Sequence, residues 1–335
     1  MLLKQFDSLP EGILTAKPEA LHRLIPEPSL FHLAGKNQQP LFISVMQHGN
    51  EPTGFLAIQA ILNKYRNKTL PRALSLFFGN TLAAEQGLRR LDSQPDFNRI
   101  WPGTELDTCP ESQVAAEIVQ IMKQYNLFAS IDIHNNTGVN PHYSCINKLD
   151  FRFLQLASLF GRMIVYFTRP KGVQSLAFAE YCPAVTLECG RPGQQYGVEH
   201  AIEFIESCLH LSEISDQKPI HQDLDLYHTV AQVSIAPETS FSFNDKRADL
   251  LLNRDLERMN FTEMPAGTEL GQVNGVNNFP VVAINELGHD VSHEFFAIID
   301  CQLQISKPTM PSMFTLDEQV IKQDCLCYLM ERISL

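Results

Sequence analysis

Short apolar runs alternate with longer amphipathic segments between residue 41 and about residue 212. We predict the apolar runs to be buried strands and the segments between them, where apolar residues recur at helical spacing, to be helices. The predicted strands are LFISVMQ (41–47), ALSLFFGN (73–80), LFASIDIH (127–134), MIVYFT (163–168) and AVTLE (184–188). The predicted helices cover 52–65, 112–125, 151–161, 174–181 and 198–212. Apolar strands that alternate with helices predict an α/β fold, with a mostly parallel sheet covered by helices on both faces.

The pattern changes beyond residue 217. KPIHQD (218–223), with its proline and polar residues, is predicted to be a linker. The β-like stretches that follow it are LYHTVAQVSI, FPVVAI and EFFAIIDCQLQI. The sequence therefore predicts an α/β domain over residues 1–217 and a smaller β-rich C-terminal domain over residues 218–335.

The composition indicates a folded, soluble protein. Of the 335 residues, 44% are hydrophobic and 19% are charged, which excludes a disordered or fibrous chain. The net charge is −12 and the basic residues are scattered, so we expect no nucleic-acid partner. We expect no membrane association, because neither a run of about 18 apolar residues nor a signal-peptide pattern occurs. The eight cysteines are scattered, which favours reduced thiols and a cytoplasmic protein.

Chemically active side chains stand where the predicted strands end. In an open parallel sheet, ligands bind beyond the carboxyl ends of the strands. In chain order, these ends present His48 with Glu51, then Asn80, His134 and Glu188. A random α/β domain would not concentrate histidine and glutamate there, so we predict a functional site at this edge of the sheet.

His48 and Glu51 form an H-x-x-E pair, which by itself is a weak signal because roughly one match per chain arises by chance. Its position strengthens it. Gly49 permits a tight turn, Pro52 suits the first position of a helix, and a carboxylate is favoured at a helix N-terminus. Together with His134, the pair completes the two-histidine, one-carboxylate ligand set of hydrolytic zinc sites. We predict one Zn²⁺ ion held by these three residues; the alternative is a helix-capping glutamate beside an incidental histidine.

Two more acidic residues belong to the same edge. Asp132 leaves its strand on the same face as His134, so it is either a partner that orients the histidine or a buried acid satisfied by backbone groups. Glu188 ends an apolar strand, where a carboxylate is costly to bury unless it has a use. It is predicted to be the general base that takes a proton from a metal-activated water and returns it to the leaving amine. A structural salt bridge is the alternative for Glu188.

Four segments carry a family resemblance: HGNEPTG (48–54), GLRRLDSQPDFNR (87–99), DIHNNTG (132–138) and ECGRPGQ (188–194). In this order they resemble the succinylglutamate desuccinylase/aspartoacylase family, which belongs to the wider zinc carboxypeptidase group. The resemblance extends from about residue 40 to the end of the chain. It implies a zinc carboxypeptidase-like fold and makes residues 1–217 a zinc-hydrolase catalytic domain.

The resemblance also implies a role for each matching residue. The implied zinc ligands and catalytic glutamate are those already predicted: His48, Glu51, His134 and Glu188. Arg89 would polarise the scissile carbonyl, and Asn98 with Arg99 would bind the carboxylate of the substrate. An arginine can hold a carboxylate through two hydrogen bonds, and a cation near the carbonyl stabilises the oxyanion formed by water attack. Without the resemblance, Arg89, Arg90 and Arg99 would equally well be surface salt-bridge residues.

The chain departs from the family pattern at two places. The stretch between Arg89 and Asn98 is about two residues longer than in aspartoacylase. A second carboxylate-binding arginine is expected about ten residues before the catalytic glutamate, where this chain has Phe178. Arg169 and Arg191 are near in sequence and either would compensate; we take Arg191 as a substrate-binding candidate. The substrate can therefore differ from both acetylaspartate and succinylglutamate.

The sequence thus predicts a zinc-dependent hydrolase that cleaves the amide bond of a small N-acylated amino acid or a similar carboxylate-bearing substrate. A metallocarboxypeptidase acting on peptides and a non-catalytic binding protein of the same fold are the alternatives. A degenerate binding protein would be expected to lose a ligand or Glu188, and this chain has all four. An ester substrate and a homo-oligomeric state both stay open.

Other histidines of the chain offer competing interpretations. His289 and His293, in GHDVSHE, are four residues apart, as on one face of a helix. Their region is predicted to be turn and strand, so two solvated histidines are favoured over a second metal site. His142 and Tyr143 follow the turn after His134 and are either pocket-lining or ordinary loop residues.

Overall fold

The computed structural model describes residues 2–219, 224–275 and 279–334. The described residues form two compact units. The first lies within Met1–Asn135, His142–Tyr166 and Pro170–Asp225, and the second within Asn136–Pro141, Phe167–Arg169 and Leu226–Leu335. Of the linker predicted over 218–223, residues 220–223 lie outside the described residues.

The first unit is built on a mostly parallel sheet. Its strands in the described residues are β1 (Lys4–Phe6), β2 (Ser29–Leu33), β3 (Gly35–Val45), β4 (Leu70–Phe78), β5 (Ala129–His134), β6 (Tyr143–Ile146), β7 (Met163–Tyr166) and β8 (Ala184–Glu188). They lie side by side in the order β1-β2-β4-β3-β5-β8-β6-β7. The central pairs β4–β3, β3–β5 and β5–β8 are parallel, whereas β2–β4 and β6–β8 are antiparallel. The predicted α/β fold class is confirmed.

Helices cover both faces of this sheet, as predicted. They are α1 (Leu21–Leu24), α2 (Thr53–Lys64), α3 (Thr81–Glu85), α4 (Pro110–Met122), α5 (Phe151–Ser158), α6 (Gln174–Phe178) and α7 (Gln195–His210). In α2, Gly54 packs against Ile133 of β5. In α6, the Gln174 amide donates to the hydroxyl of Ser130 on the same strand. Residues 130 and 133 point to opposite faces of a strand, so α2 and α6 lie on opposite sides of the sheet.

The strand register brings the ends of the four central strands to one edge. Val45, the last residue of β3, pairs with Phe78, the last residue of β4, and lies beside Ile133 of β5. His134 pairs in turn with Glu188, and these two residues end β5 and β8. The chain therefore leaves four adjacent parallel strands at the same edge.

An aromatic cluster lies under this edge on the face covered by α6. The ring of Phe42 stacks on that of Phe178 with 4.6 Å between centroids, and Trp101 packs edge-on against both. All three side chains are fully buried. Phe42 is two residues before Ser44 on β3, so the cluster lies one step below Ser44 on the same face. It forms an apolar floor beneath the strand ends.

The second unit is rich in β structure, which confirms the predicted β-rich C-terminal part. Its strands in the described residues are β9 (Asp225–Ile235), β10 (Phe241–Ser242), β11 (Leu250–Leu252), β12 (Glu269–Val273), β13 (Val281–Asn285), β14 (Phe296–Ile299), β15 (Gln302–Ile305), β16 (Met310–Ser312) and β17 (Cys327–Arg332). Short helices α8 (Ser292–Phe295) and α9 (Glu318–Gln323) accompany them. Antiparallel pairing gives the order β13-β9-β17-β16, and a five-stranded sheet has the order β10-β11-β12-β15-β14. Val233, Leu270 and Phe314 belong to its buried core.

Two further features concern the chain as a whole. Every helix within the described ranges is too short or too polar to cross a lipid bilayer. All eight cysteines are free thiols.

Candidate metal centre and active site

Three side chains converge at the carboxyl edge of the first unit's sheet. His48 and Glu51 lie in the turn between β3 and α2, and His134 is the last residue of β5. One side-chain ligand atom from each lies within 4.8 Å of the others. Nδ1 of His48 is 2.8 Å from Oε1 of Glu51, and Nδ1 of His134 is 2.8 Å from Oε2. The three residues are only 2–4% exposed.

The turn that carries His48 is held by close backbone contacts. Met46, fully buried, has a φ of 60°, which is uncommon for a residue other than glycine. A Cβ on Gly49 would lie 2.2 Å from the backbone nitrogen of Ala84, so glycine is needed for close approach. The N–H of Gly49 donates to the carbonyl of Arg89 over 3.1 Å. The segments of His48 and Arg89 are therefore fastened to each other.

A buried carboxylate contacts each imidazole at Nε2, the ring nitrogen that does not face Glu51. Nε2 of His48 is 3.0 Å from Oδ1 of Asp96, and Nε2 of His134 is 2.8 Å from Oδ2 of Asp132. Asp132 also accepts a 2.6 Å hydrogen bond from the hydroxyl of Ser44 on the neighbouring strand. Side-chain partners, rather than backbone groups, thus surround this carboxylate.

These contacts decide which ring nitrogens face Glu51. Because an ionised carboxylate only accepts hydrogen bonds, each Nε2 carries the ring proton when the imidazole is neutral. The lone pair of Nδ1 then faces an oxygen of Glu51 in both rings, which is favourable only if a positive charge lies among them. Two imidazole nitrogens and one carboxylate are a known zinc ligand set, and carboxylates commonly support histidine ligands in this way. The residues fit a divalent cation.

The ionisation of the cluster agrees with this fit. Burial alone would raise the pKa of Glu51, but His48 and His134 outweigh it and hold the pKa well below its ordinary value. Burial alone would lower the pKa of His134, but Asp132 and Glu51 raise it well above the usual range. An electrostatic environment that attracts a proton to the ring nitrogens also attracts a metal cation.

The cysteines near the edge are poor candidates for further ligands. Burial raises the pKa of Cys145 and of Cys189 well above the ordinary value, and the negative charge of Glu188 adds to this. Both thiols therefore keep their protons when no metal is bound. The candidate ligand atoms of His48, Glu51 and His134 are nitrogen and oxygen.

Arg89 lies beside the cluster and is held by Asp96. Its Nε and Nη2 are 3.2 and 2.9 Å from Oδ2 of Asp96, and Nη1 is 3.9 Å from Oε1 of Glu51. The backbone N–H of Asn98 donates to the other oxygen of Asp96 over 2.8 Å. Nη1 of Arg99 donates to the carbonyl of Asn98 over 2.8 Å. The segment 96–99 thus attaches directly to the His48–Arg89 side of the cluster.

Glu188 occupies the end of the next strand, paired in register with His134. It is 6% exposed. Burial raises its pKa to about 8, with His134 and Arg89 opposing the shift and Glu51 and Asp132 adding to it. A carboxyl group whose pKa lies near neutrality is suited to accept and return a proton.

The family relationship is decided by the sequence itself. The model of the succinylglutamate desuccinylase/aspartoacylase catalytic domain matches residues 37–211, just over half of the chain. The chain belongs to this family. No significant match is found among curated proteins.

Solved structures of the family's fold resemble the chain over most of its length. A succinylglutamate desuccinylase from Chromobacterium violaceum has a TM-score of 0.59 at 18% identity, over 90% of this chain and 86% of that one. Murine aminoacylase 3 has a TM-score of 0.59 at 15% identity, over 90% and 98%. The product-bound ectoine utilization protein EutE (DoeB) from Ruegeria pomeroyi has a TM-score of 0.56 at 12% identity, over 91% and 88%. At these identities the likeness establishes a desuccinylase/aspartoacylase fold.

The position of the family's expected second arginine is part of the core here. Phe178, the last residue of α6, is fully buried and stacks on Phe42. Arg191, the substrate-binding candidate, lies in the turn between β8 and α7 and is partly buried. Arg169 belongs to the second unit.

We expect that restoring an arginine at this position, Phe178→Arg, will fail to create a carboxylate site. It would place a charge inside the aromatic cluster and forfeit the packing of a fully buried phenylalanine, a loss of at least about 3 kcal/mol. Urea denaturation measures the loss, and Phe178→Leu, which stays apolar, serves as the control with a smaller effect. A stable Phe178→Arg protein would contradict this placement.

The competing histidines lie elsewhere. His289 and His293 are both exposed and belong to the second unit. Tyr143 begins β6 and pairs in register with Glu188. The His142 ring stacks against Tyr196 and His200, with 2.8 Å between the Nδ1 atoms of the two histidines.

Three residues of the site were not predicted from the sequence: Ser44, Asp96 and Asn135. Ser44 lies inside an apolar run, and Asp96 belongs to a loop whose path the sequence does not fix. The backbone N–H of Asn135 donates to Oε2 of Glu51, and its side chain binds the N–H of Thr53 and the carbonyl of Gly190. A usable signal for Asn135 was its place directly after His134, in a polar turn that follows a buried strand.

The buried Glu188 carboxyl makes a pH-dependent contribution to stability that can be measured on chelator-treated protein. Its pKa rises from an ordinary 4.5 to about 8 on folding, so the folded state retains the proton. The contribution of Glu188 to the free energy of unfolding is therefore fully present below about pH 4.5. It is lost as the pH rises through about 8. We expect Glu188→Gln, which cannot ionise, to exceed wild type in urea midpoint near pH 8 and to match it near pH 5.

Glu117→Gln, at an exposed carboxylate on α4, is the control and should follow wild type at both pH values. An equal difference between Glu188→Gln and wild type at the two pH values would contradict the shift.

Proposed function

We propose that the protein is a zinc-dependent amidohydrolase that cleaves the amide bond of a small N-acylated amino acid or a similar carboxylate-bearing substrate. The observation that carries the proposal is the buried group of His48, Glu51 and His134, with a cationic side chain on one side and a carboxyl group on the other. Arg89 supplies the cation, and Glu188 supplies the carboxyl group. The family membership supports a hydrolase, and the name of one similar structure, an aminoacylase, supports an amide substrate.

His48, Glu51 and His134 would hold the ion. When bound, zinc polarises a carbonyl group and activates water as a nucleophile. The carboxylates of Asp96 and Asp132 contact the opposite nitrogen of each ring and so keep the two Nδ1 atoms directed at Glu51, where the ion would be held.

Glu188 would move the proton of the reaction. It takes a proton from the attacking water and delivers it to the nitrogen that leaves. A divalent cation close by favours the ionised carboxylate, so we expect its pKa to fall below the metal-free value of about 8 when the ion is bound. The base is then ionised near neutral pH, when it has to accept the proton.

The arginines would bind and orient the substrate. Arg89 would stabilise the oxyanion that forms on the attacked carbonyl; the distance of 3.9 Å between its Nη1 and Oε1 of Glu51 supports this role. Asn98 and Arg99 follow on the same segment and, together with Arg191, are proposed to bind the substrate carboxylate. A guanidinium can hold a carboxylate through two hydrogen bonds, so these arginines favour an anionic substrate.

Metal analysis followed by a substrate screen tests this function. We expect about one zinc per chain after purification, and release of free amine from N-acylamino acids after reconstitution with zinc. Short peptides and esters with matched side chains are the comparison. Turnover restricted to peptides would support a carboxypeptidase instead, and turnover that persists after complete chelation would contradict a metal-dependent mechanism.

A further inference from the structure

Asp96 contacts three different residues of the site: His48, Arg89 and Asn98. Its side chain lies in the loop between α3 and α4 and is 9% exposed. Oδ1 accepts hydrogen bonds from Nε2 of His48 and from the N–H of Asn98, at 3.0 and 2.8 Å. Oδ2 accepts from both Nε and Nη2 of Arg89. One carboxylate therefore contacts a proposed metal ligand, the proposed carbonyl-polarising arginine and the proposed carboxylate-binding segment.

We infer that Asp96 is a positioning residue that sets the orientations of His48 and Arg89 together, so that metal affinity and carbonyl polarisation depend on the same carboxylate. This inference rests on the proposed function and on the hydrogen bonds that Asp96 makes with His48 and Arg89. In this role Asp96 would act through His48 and Arg89, the two side chains that it contacts, and not on the ion or the reacting atoms.

The geometry at Arg89 explains how the second effect arises. An arginine side chain has several rotatable bonds, and a lone guanidinium would sample many orientations. Because Nε and Nη2 both donate to one oxygen of Asp96, the plane of the guanidinium is fixed and Nη1 is left directed toward Glu51, 3.9 Å away. Loss of the carboxylate would remove both of these hydrogen bonds, which orient Arg89.

Asp132 provides a matched comparison within the same molecule. Like Asp96, it is buried and accepts a hydrogen bond from Nε2 of a proposed histidine ligand. Its other side-chain partner among the described residues is the neutral hydroxyl of Ser44, at 2.6 Å. Asp132 thus shares the contact to a ligand with Asp96 but holds no guanidinium, so the two residues separate the two effects.

The experiment compares Asp96→Asn with Asp132→Asn. We expect zinc affinity, measured by competition with a chelator, to fall about 10–100-fold in both variants. At saturating zinc, we expect both variants to lose kcat, because each carboxylate contacts a proposed histidine ligand. Asp96→Asn should lose at least about 10-fold more, because a displaced Arg89 no longer stabilises the oxyanion.

A double-mutant cycle assigns the loss to Arg89. In an Arg89→Met background at saturating zinc, Asp96→Asn should cause no larger loss of kcat than Asp132→Asn, because the guanidinium that it positions is gone. Equal losses of kcat in both backgrounds would overturn the link to Arg89. Unchanged zinc affinity in Asp96→Asn would overturn the link to His48.

A readout without turnover keeps this test separate from the proposed function. The Nε–H proton of Arg89 is bonded to a buried carboxylate, so its NMR resonance should exchange slowly with water in wild type and in Asp132→Asn but not in Asp96→Asn. A protein that hydrolyses no N-acylamino acid yet shows these differences would refute the function and retain the inference. If Asp96→Asn fails to fold, Asp96→Glu, which displaces the charge by one methylene, is measured in the same way; wild-type values in it would overturn the inference.

Discussion

Replacing Glu188 by glutamine should leave one zinc bound per chain and reduce kcat by at least about 10²-fold, the usual contribution of a positioned acid–base group. Glutamine keeps the size of the side chain at the end of β8 but can neither take a proton from water nor deliver one to the leaving nitrogen. The effect should appear in kcat rather than in KM, because the side chain is proposed to act on the reacting atoms. Steady-state kinetics on the substrate found by the screen, with metal content measured on the same sample, gives the result.

The exposed carboxylate of Glu117 is the matched control for this substitution. Glu117→Gln removes the same charge from the same unit and should have wild-type kinetics. A Glu188→Gln variant with wild-type kcat and full zinc content would show that another group moves the proton.

Replacing His134 by alanine should have the second large effect, a loss of zinc affinity beyond the about 10–100-fold expected for an outer partner such as Asp132. The substitution removes one of three proposed ligands and also leaves the carboxylates of Glu51 and Asp132 without the imidazole between them. Activity should be lost at zinc concentrations that saturate wild type and should recover at most in part at higher zinc. Chelator competition and kinetics at several zinc concentrations measure both.

The control for this variant uses the competing histidine pair. His289 and His293 are exposed and lie in the second unit. Replacing both by alanine should change neither zinc content nor activity. A loss of zinc in that double variant, with His134→Ala unaffected, would place the metal at the alternative site.

The central part of the fold could be predicted because its strands are buried on both faces. AVTLE, between Pro183 and Cys189, is predicted to be a strand with the observed bounds, since a short and mostly apolar run in an α/β chain is typical of a buried strand. The start of β3 was placed six residues too late, because Gly35–Pro40 is polar and partly exposed and carries no apolar run. β6, a four-residue antiparallel strand, was missed for the same reason that short strands often are: YSCI has no period of its own.

The proposed ligands could be named for a different reason. Two parallel strands that are neighbours in the sheet, β3 and β5, end at the same edge. His48 and Glu51 come shortly after β3, and His134 is the last residue of β5. Asp96 could not be found in this way. Its contact with His48 spans 48 positions and depends on a loop, where no periodicity fixes the path of the chain.

The helix α2 also begins one residue later than expected, with Pro52 as its N-cap rather than its first residue.

The environment of Asp132 was left open by the sequence between an orienting partner and a buried acid satisfied by backbone groups. The hydroxyl of Ser44 and the imidazole of His134 occupy its two oxygens. This difference matters because a side-chain partner fixes the tautomer of His134, whereas backbone donors would leave the ring free to rotate.

Four buried carboxyl groups, those of Glu51, Asp96, Asp132 and Glu188, lie along one edge of the sheet. Burying so many acids is costly unless cations balance them. Arg89 and the two histidines balance part of this charge, and the proposed divalent cation among His48, Glu51 and His134 would balance more of it.

Anomalous X-ray diffraction from zinc-loaded crystals, recorded at the zinc absorption edge, tests this most directly. We expect one strong peak in the first unit, at about 2.0–2.2 Å from Nδ1 of His48, Nδ1 of His134 and a carboxylate oxygen of Glu51. A zinc peak ligated by other residues, or no peak at this edge in fully loaded protein, would contradict the account.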